Sequence, residues 1–293
     1  MVEEHKRYLP DPVLIPGEKK SQIALYRYAN LSNRYPPIIL THGTFSNALI
    51  CSNLAAFLNR AGFDCWIYEW TGHGKSEYGQ LYLDAEGFAL HDVPRVIQTV
   101  LKKTNSRTCS WVAHSGGGFL PLMVMARNPL FQEKIQAIAG LGSQTTGAGK
   151  TIMGKLITRM MPVVDTLLGK VPGPLSGLGP EDEVSGFLTQ WAQWNRSGKW
   201  VGTDGFDYDK AMGEIRIPAL FIAGAKDKIA PPDGCRTLVN SLGSVEKSFV
   251  LCSKENGYQE DYTHPRLIAS QNAKKEIWPM ILEFIQSVIK SGG

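Results

Sequence analysis

The segment AHSGGG at residues 113–118 places Ser115 between small residues at the end of an apolar run. The run, TCSWVAHS, has the composition of a buried strand, and a helix-like segment follows the glycines. A tight strand-to-helix turn of this kind accepts only small side chains two residues before and after the serine, and it lifts the hydroxyl clear of a sheet. Because the segment differs from G-x-S-x-G only in Ala113, we predict that Ser115 is a nucleophile.

A serine hydroxyl needs a base that accepts its proton. In the fold that carries such turns, the acid and then the histidine follow the serine along the chain. One histidine, His264, lies after Ser115, and five precede it (His5, His42, His73, His91 and His114). His264 stands in YTHPRLI, between the last strand-like run and the last helix-like segment, and we predict that it is the general base.

The acid that orients the base is expected at the end of the strand before that loop. Asp227 closes the run IPALFIAGAKD in this way, so we predict that it is the acid. Asp233 follows at the start of the next helix, where an N-cap is expected. The remaining aspartates lie before this strand or too near His264 in sequence (Asp204, Asp207, Asp209 and Asp261).

A tetrahedral intermediate also needs backbone N–H groups that stabilise its negative charge. One donor is expected to be the residue after the nucleophile, Gly116. THGTFS at residues 41–46 follows the first central strand-like run with a His-Gly turn, which leaves the next amide free. We therefore predict an oxyanion hole formed by Thr44 and Gly116.

Six short apolar runs alternate with helix-like segments, and each run ends in glycine or polar residues. Buried parallel strands have this composition, so we predict an α/β fold in which helices cover both faces of a mostly parallel sheet. The runs occupy residues 37–43, 63–70, 108–115, 135–143, 217–227 and 247–253. Residues 21–29 alternate in polarity and are predicted to form an antiparallel edge strand. Helices are predicted at about 47–61, 88–103, 117–127, 233–242 and 273–289.

Residues 144–210 interrupt this alternation, because they contain no strand-like run. A Met-, Leu- and Ile-rich amphipathic stretch is followed there by a Gly/Pro-rich turn and a Trp-rich segment. Long insertions between sheet strands are tolerated at the surface and often cover a site. We predict a core domain of residues 1–143 and 211–293, with a mainly helical cap of residues 144–210.

The amphipathic stretch of the cap has apolar residues three or four positions apart, which would share one helical face (Ile152, Leu156, Met160 and Val163). We expect this face either to pack on the core domain or to line an acyl channel. The cap's tryptophans are open to the same two interpretations, a channel wall or a core of the cap (Trp191, Trp194 and Trp200).

Composition excludes several other functions. The chain has 293 residues and a formal net charge of +4, without the basic stripe expected of a nucleic-acid-binding protein. The N-terminal residues are charged where a signal peptide is apolar, and no window reaches the roughly 18 apolar residues of a membrane span. We therefore expect a cytoplasmic protein with at most peripheral membrane or lipid contact. The five cysteines form no C-x-x-C pair, and no metal site is expected.

Two other motifs fail on spacing. TGAGKT at residues 146–151 ends like a phosphate-binding loop, but G-x-x-x-x-G-K-[ST] requires glycine where this chain has Gln144. GFDYDK at residues 205–210 lacks the ligand spacing and closing glutamate of an EF-hand. We therefore predict neither nucleotide binding nor calcium binding.

The order of HG, TGHGKS, AHSGG, GAKD and YTH along the chain resembles that of the α/β-hydrolases. Four stretches are similar to the acid-lipase branch, that of the lysosomal and gastric lipases (LNRAGFDCWIYEW, HDVPRVIQTVLKKT, WVAHSGGGFLPLMVMARNP and DYTHPRL). The resemblance covers about residues 35–143 and 215–290, but not the cap. It implies a small-molecule lipid or carboxylic ester substrate, no metal and no organic cofactor. The triad and oxyanion positions of that family fall on the five residues predicted above.

These observations predict a serine hydrolase that cleaves carboxylic esters, of lipid-like or medium-chain acyl groups, through an acyl-enzyme. Two alternatives stay open. The same triad serves thioesterases and acyltransferases, which sequence does not separate from esterases. The fold could also carry a ligand-binding protein without catalytic activity.

Overall fold

The computed structural model describes residues 8–32, 34–80, 84–150, 155–156, 158–160, 163 and 169–291. The position expected at Ile152 in the cap lies outside these residues. The strands of the described chain are β1 (Pro12–Pro16), β2 (Gln22–Tyr28), β3 (Ile38–Thr41), β4 (Cys65–Glu69), β5 (Cys109–His114), β6 (Ile135–Leu141), β7 (Lys170–Val171), β8 (Glu183–Val184), β9 (Ala219–Gly224) and β10 (Lys247–Cys252).

One eight-stranded sheet has the order β1-β2-β4-β3-β5-β6-β9-β10. The strands from β4 to β10 in this order are parallel, whereas β2 is antiparallel to both β1 and β4. From β3 the chain runs to β4 on one side and later to β5 on the other. The loops that follow β3 and β5 therefore flank the point where the strand order reverses, which is where ligands bind in open α/β sheets.

Both faces of this sheet are buried. Along β3, Ile39 belongs to one apolar cluster, while Ile38 and Leu40 belong to a second. Trp111 and Val112 of β5 divide between the same two clusters. Because successive strand residues point to opposite faces, near-continuous apolar runs are required in the central strands.

The predicted α/β architecture is confirmed, and all six apolar runs form strands of the main sheet. The edge position predicted for residues 21–29 is wrong, because β1 pairs with β2 from outside. β1 has the sequence PVLIP, and its two prolines conceal it from a propensity argument. Proline is tolerated in an edge strand, where a missing N–H removes no necessary ladder bond.

The α-helices of the described chain are α1 (Ser52–Arg60), α2 (Ala85–Gly87), α3 (Val93–Thr104), α4 (Leu120–Arg127), α5 (Gly173–Ser176), α6 (Ser185–Ser197), α7 (Tyr208–Ala211), α8 (Pro232–Ser241), α9 (Arg266–Ala269) and α10 (Gln271–Ser291). Five of them correspond to the predicted helices. Asp233 lies in the first turn of α8, but its side chain makes no cap hydrogen bond there. Among the described residues, no helix is both long and apolar enough to span a membrane.

The described part of residues 144–210 contributes no strand to the main sheet, but β7 and β8 form a two-stranded antiparallel sheet that the sequence did not predict. The expected apolar face is exposed at its three described members, by 58% at Leu156, 50% at Met160 and 51% at Val163. These side chains therefore do not pack on the core. Trp194 and Trp200 are instead fully buried, and both rings contact Phe119 of the core.

Candidate active site

Ser115 occupies the turn between β5 and the helical segment that leads into α4. Its φ of +57° is left-handed, a conformation that costs energy for a residue with a side chain and that the surrounding structure must hold. The glycine two residues later is required by close packing, because a Cβ at Gly117 would lie 2.5 Å from the His42 carbonyl oxygen. The small residues predicted for this turn are therefore needed because the turn after β5 packs closely against the loop after β3.

His264 and Asp227 form a buried pair. His264 Nδ1 lies 2.7 Å from Asp227 Oδ2, and both residues are less than a tenth exposed. Asp227 Oδ1 accepts hydrogen bonds from the N–H groups of Ile229 and Ala230, at 2.9 and 2.8 Å. The carboxylate is therefore held from one side and faces the imidazole from the other, so that His264 Nε2 is the ring nitrogen left for another partner.

The loop that carries His264 is attached to the turn that carries Ser115. His114, the residue before the serine, places Nε2 3.0 Å from the carbonyl oxygen of His264, and the two imidazole rings are 4.5 Å apart. In the described part of the chain, no hydrogen bond joins Ser115 Oγ to the His264 ring. Such bonds are often long without substrate and shorten in the complex.

The loop after β3 lies against the serine. A Cβ at Gly43 would lie 2.8 Å from Ser115 Oγ and 3.1 Å from the amide nitrogen of Gly116. The N–H groups of Thr44 and Gly116 take part in none of the hydrogen bonds among the described residues. The next amide, that of Phe45, donates to Glu183. The two predicted oxyanion donors, Thr44 and Gly116, thus directly follow Gly43 and Ser115, and their amides are unpaired among the described residues.

Two buried histidines support the loop. His42 Nε2 accepts the N–H of Trp70 at 3.1 Å, so the proton is on Nδ1, which donates to the Gly43 carbonyl at 2.8 Å. Burial, and secondarily the nearby His73, lower the pKa of His42 well below its ordinary value. Burial alone would also lower the pKa of His73, but the charge of Glu183 and hydrogen bonding outweigh it and raise that pKa.

The space around the serine is narrow and aromatic. Ser115 is 9% exposed. A Cβ at Gly116 would lie 3.0 Å from Trp70 and 3.1 Å from Phe187 of α6. The rings of these two residues are 5.2 Å apart, and Phe187 also stacks on Phe119. An acyl group bound beside Gly116 would therefore contact aromatic rings supplied by both the core and residues 144–210.

A separate cavity of about 720 Å³ lies between α3, α4 and the loop at residues 203–204. Arg127 pairs there with Glu86 at 2.8 Å and with Asp204 at 2.7 Å, and Asp84 lines the same cavity. None of the five predicted site residues lines it. Among the described residues there is also no group of three potential metal ligands.

Two residues of this candidate site, Glu183 and His114, were not predicted from the sequence. His114 directly precedes the predicted nucleophile, and that adjacency was the available signal. Glu183 is separated from the loop it contacts by 138 residues, and no sequence pattern marks it.

The known proteins that this chain resembles are hydrolases. A family described as serine aminopeptidase S33 matches residues 36–181. Lipase member K of Homo sapiens is 28% identical over 152 residues, which make up 46% of this chain but only 38% of that lipase. Monoglyceride lipase of Mus musculus is 21% identical over 73% of this chain and 72% of its own length. The solved structure of a Paleococcus ferrophilus monoacylglycerol lipase has a TM-score of 0.64 at 18% identity, over 91% of this chain and 99% of that one.

Proposed function

We propose that this chain, which has the fold of the α/β-hydrolases, is a serine hydrolase that cleaves carboxylic esters. The observation that carries the proposal is the buried pair of His264 and Asp227, 2.7 Å apart and attached through His114 to the turn of Ser115. A buried imidazole with a carboxylate on Nδ1, together with a serine in a left-handed turn at the end of another strand of the same sheet, is the arrangement that activates a hydroxyl nucleophile.

In the proposed reaction Ser115 Oγ attacks the ester carbonyl carbon while its proton passes to His264 Nε2. The carbonyl oxygen becomes an oxyanion, which accepts hydrogen bonds from the N–H groups of Thr44 and Gly116. When the carbonyl re-forms, the bond to the alcohol oxygen breaks and His264 returns the proton to that oxygen. The product of this half-reaction is an acyl ester on Ser115.

Water completes the cycle by the same steps. His264 takes a proton from water as the oxygen attacks the acyl carbon, and it then returns the proton to Ser115 as the carboxylic acid leaves. Asp227 stays ionised, holds the imidazole through Nδ1 and stabilises the imidazolium formed in each half-reaction.

We propose lipid-like or medium-chain acyl esters as substrates. The relatives named above are lipases, and the aromatic rings of Trp70 and Phe187 lie beside Gly116. Each methylene buried against such a surface contributes about 0.8 kcal/mol to binding. In this proposal residues 144–210 act as a cap that supplies Phe187. The five unpaired, buried cysteines support a reducing compartment such as the cytoplasm.

The test is labelling of Ser115 with a fluorophosphonate probe, followed by turnover of a panel of p-nitrophenyl esters. The Ser115→Ala protein is the control for adventitious labelling. Acyl thioesters, an alcohol acceptor and an aminoacyl anilide in the same panel distinguish a thioesterase, an acyltransferase and an aminopeptidase. Folded wild-type protein that is neither labelled nor active would contradict the proposal and favour a binding protein.

A further inference from the structure

We propose that Glu183, carried by β8, is a positioning residue that fixes residues 43–45 so that the Thr44 N–H faces the reacting carbonyl. The inference rests on the proposed ester hydrolysis and adds a residue on which the oxyanion hole depends. Glu183 does not touch the substrate in this proposal; it acts through the backbone of Phe45.

The Glu183 carboxylate is fully buried and its two oxygens have separate backbone partners. Oε2 accepts the N–H of Phe45 at 3.0 Å, and Oε1 accepts the N–H of Val184 at 3.0 Å. Phe45 has a φ of +58°, in the left-handed region. A phenylalanine persists there only where its surroundings hold it, and the charge-assisted bond from Glu183 supplies such a restraint.

Residues 181–183 also restrain the carbonyl group of Phe45. The N–H of Glu181 donates to the Phe45 carbonyl at 3.2 Å. The side-chain amide of Asn47 donates to Glu181 Oε1 at 2.6 Å. Both polar groups of the Phe45 backbone are thus bound by residues 181–183, while Gly43 lies directly against Ser115. Thr44 lies between these two fixed points, so its amide has little freedom to turn.

A buried carboxylate needs a compensating charge. His73 Nε2 lies 3.4 Å from Glu183 Oε2, and both side chains are fully buried. The His73 ring also faces His42, at 5.3 Å between centroids, and its Nδ1 faces the Thr71 carbonyl at 3.4 Å. His73, from the TGHGKS turn after β4, is the basic side chain that lies against Glu183, and the two are in contact without a hydrogen bond.

Two variants of Glu183 separate positioning from charge balance. Glu183→Gln has one carbonyl oxygen and so cannot accept from both Phe45 and Val184. Glu183→Asp keeps the charge but is one methylene too short to reach the Phe45 amide from the same backbone. Asp182→Asn is the matched control, because Asp182 adjoins Glu183 in the chain and pairs with Lys170 rather than with residues 43–45.

The experiment measures kcat and KM for p-nitrophenyl octanoate, with circular dichroism to establish folding. We expect both Glu183 variants to lose roughly 10²-fold in kcat, the loss seen when one oxyanion donor is removed, with KM changed by less than about threefold. Asp182→Asn should stay within about twofold of wild type.

Several outcomes would overturn the inference while leaving the hydrolase intact. An active Glu183→Asp would reduce Glu183 to a counter-charge. A rise in KM at constant kcat, or an equal loss in Asp182→Asn, would also contradict positioning. If Glu183→Gln does not fold, the Glu183→Asp protein decides between these outcomes. Wild-type protein without activity or Ser115 labelling would instead contradict the proposed function itself.

Discussion

His114 and His264 are joined by a hydrogen bond from the His114 ring to the His264 carbonyl, at 3.0 Å. Since a carbonyl only accepts, His114 Nε2 carries the proton, and its Nδ1 is buried without a partner among the described residues. The turn of the proposed nucleophile and the loop of the proposed base are thus joined by a neutral imidazole. His114 is for this reason a source of acid sensitivity.

The first prediction concerns the pH dependence of stability. Burial, with a smaller contribution from His264, lowers the pKa of His114 to about 3, against about 6.5 in the unfolded chain. As pH falls from about 6.5, the unfolded state therefore binds a proton that the folded state does not. The free energy of unfolding should decrease by about 1.4 kcal/mol per pH unit from this group, down to about pH 3.

Urea unfolding of wild type and His114→Gln across this pH range measures the effect, because other titrating groups are common to both proteins. Glutamine can place its amide nitrogen where His114 Nε2 lies, and so keeps a donor for the His264 carbonyl. The stability difference should move in favour of the variant as pH falls. Parallel curves would show that His114 is not held neutral.

The second prediction distinguishes the chemical role of the Ser115 hydroxyl from the backbone strain at this position. Ser115→Ala and Ser115→Gly should both abolish esterase activity. Since only glycine adopts a φ of +57° without penalty, Ser115→Gly should be about 1 kcal/mol more stable to unfolding than Ser115→Ala. Thermal and urea denaturation measure the difference. Residual activity in either purified variant would remove Ser115 from the mechanism.

The third prediction concerns the acid. Asp227→Asn should lower kcat about 10⁴-fold, because the amide no longer favours the required tautomer of His264. Folding stability should be less affected than activity, since the retained carbonyl oxygen can still accept the N–H groups of Ile229 and Ala230. Asp261→Asn is the matched control, because Asp261 pairs with Lys226 nearby but does not contact His264. Equal losses in both variants would argue against Asp227.

The fourth prediction concerns acyl selectivity. Wild type should favour p-nitrophenyl octanoate over acetate in kcat/KM, and Phe187→Ala should change this ratio, because Phe187 lies beside Gly116. Met160→Ala, half exposed, should leave the ratio unchanged. Trp194→Ala should mainly destabilise the protein, by about 3–5 kcal/mol, since that ring is buried against Phe119. A wild-type ratio near one would reject medium-chain preference.

The sheet was predictable because its central strands are buried on both faces, and such runs are distinct in composition from everything around them. The five proposed site residues could be selected from the sequence because the turn at Ser115 and the chain order of its partners have local signatures. Glu183 has no such local signature, because its proposed role depends on a long-range contact with Phe45. In a polar, Gly/Pro-rich region, the sequence does not distinguish a buried glutamate from a solvated one.

Residues 144–210 were the part of the chain that the sequence predicted least accurately. Periodicity at Leu156, Met160 and Val163 indicates a helical face, but it does not say whether that face meets protein or solvent. The two-residue strands β7 and β8 are also too short to produce a pattern.

The two outer strands of the sheet differ in their capacity for self-association. β1 offers a poor template for a docking strand, because Pro12 and Pro16 remove the donors of two of its five residues. β10, KSFVLC, has no proline and retains all its donors at the opposite edge. Under destabilising conditions, intermolecular sheet growth should therefore begin at β10, and a proline or lysine introduced there should delay aggregation more than the same change in β1.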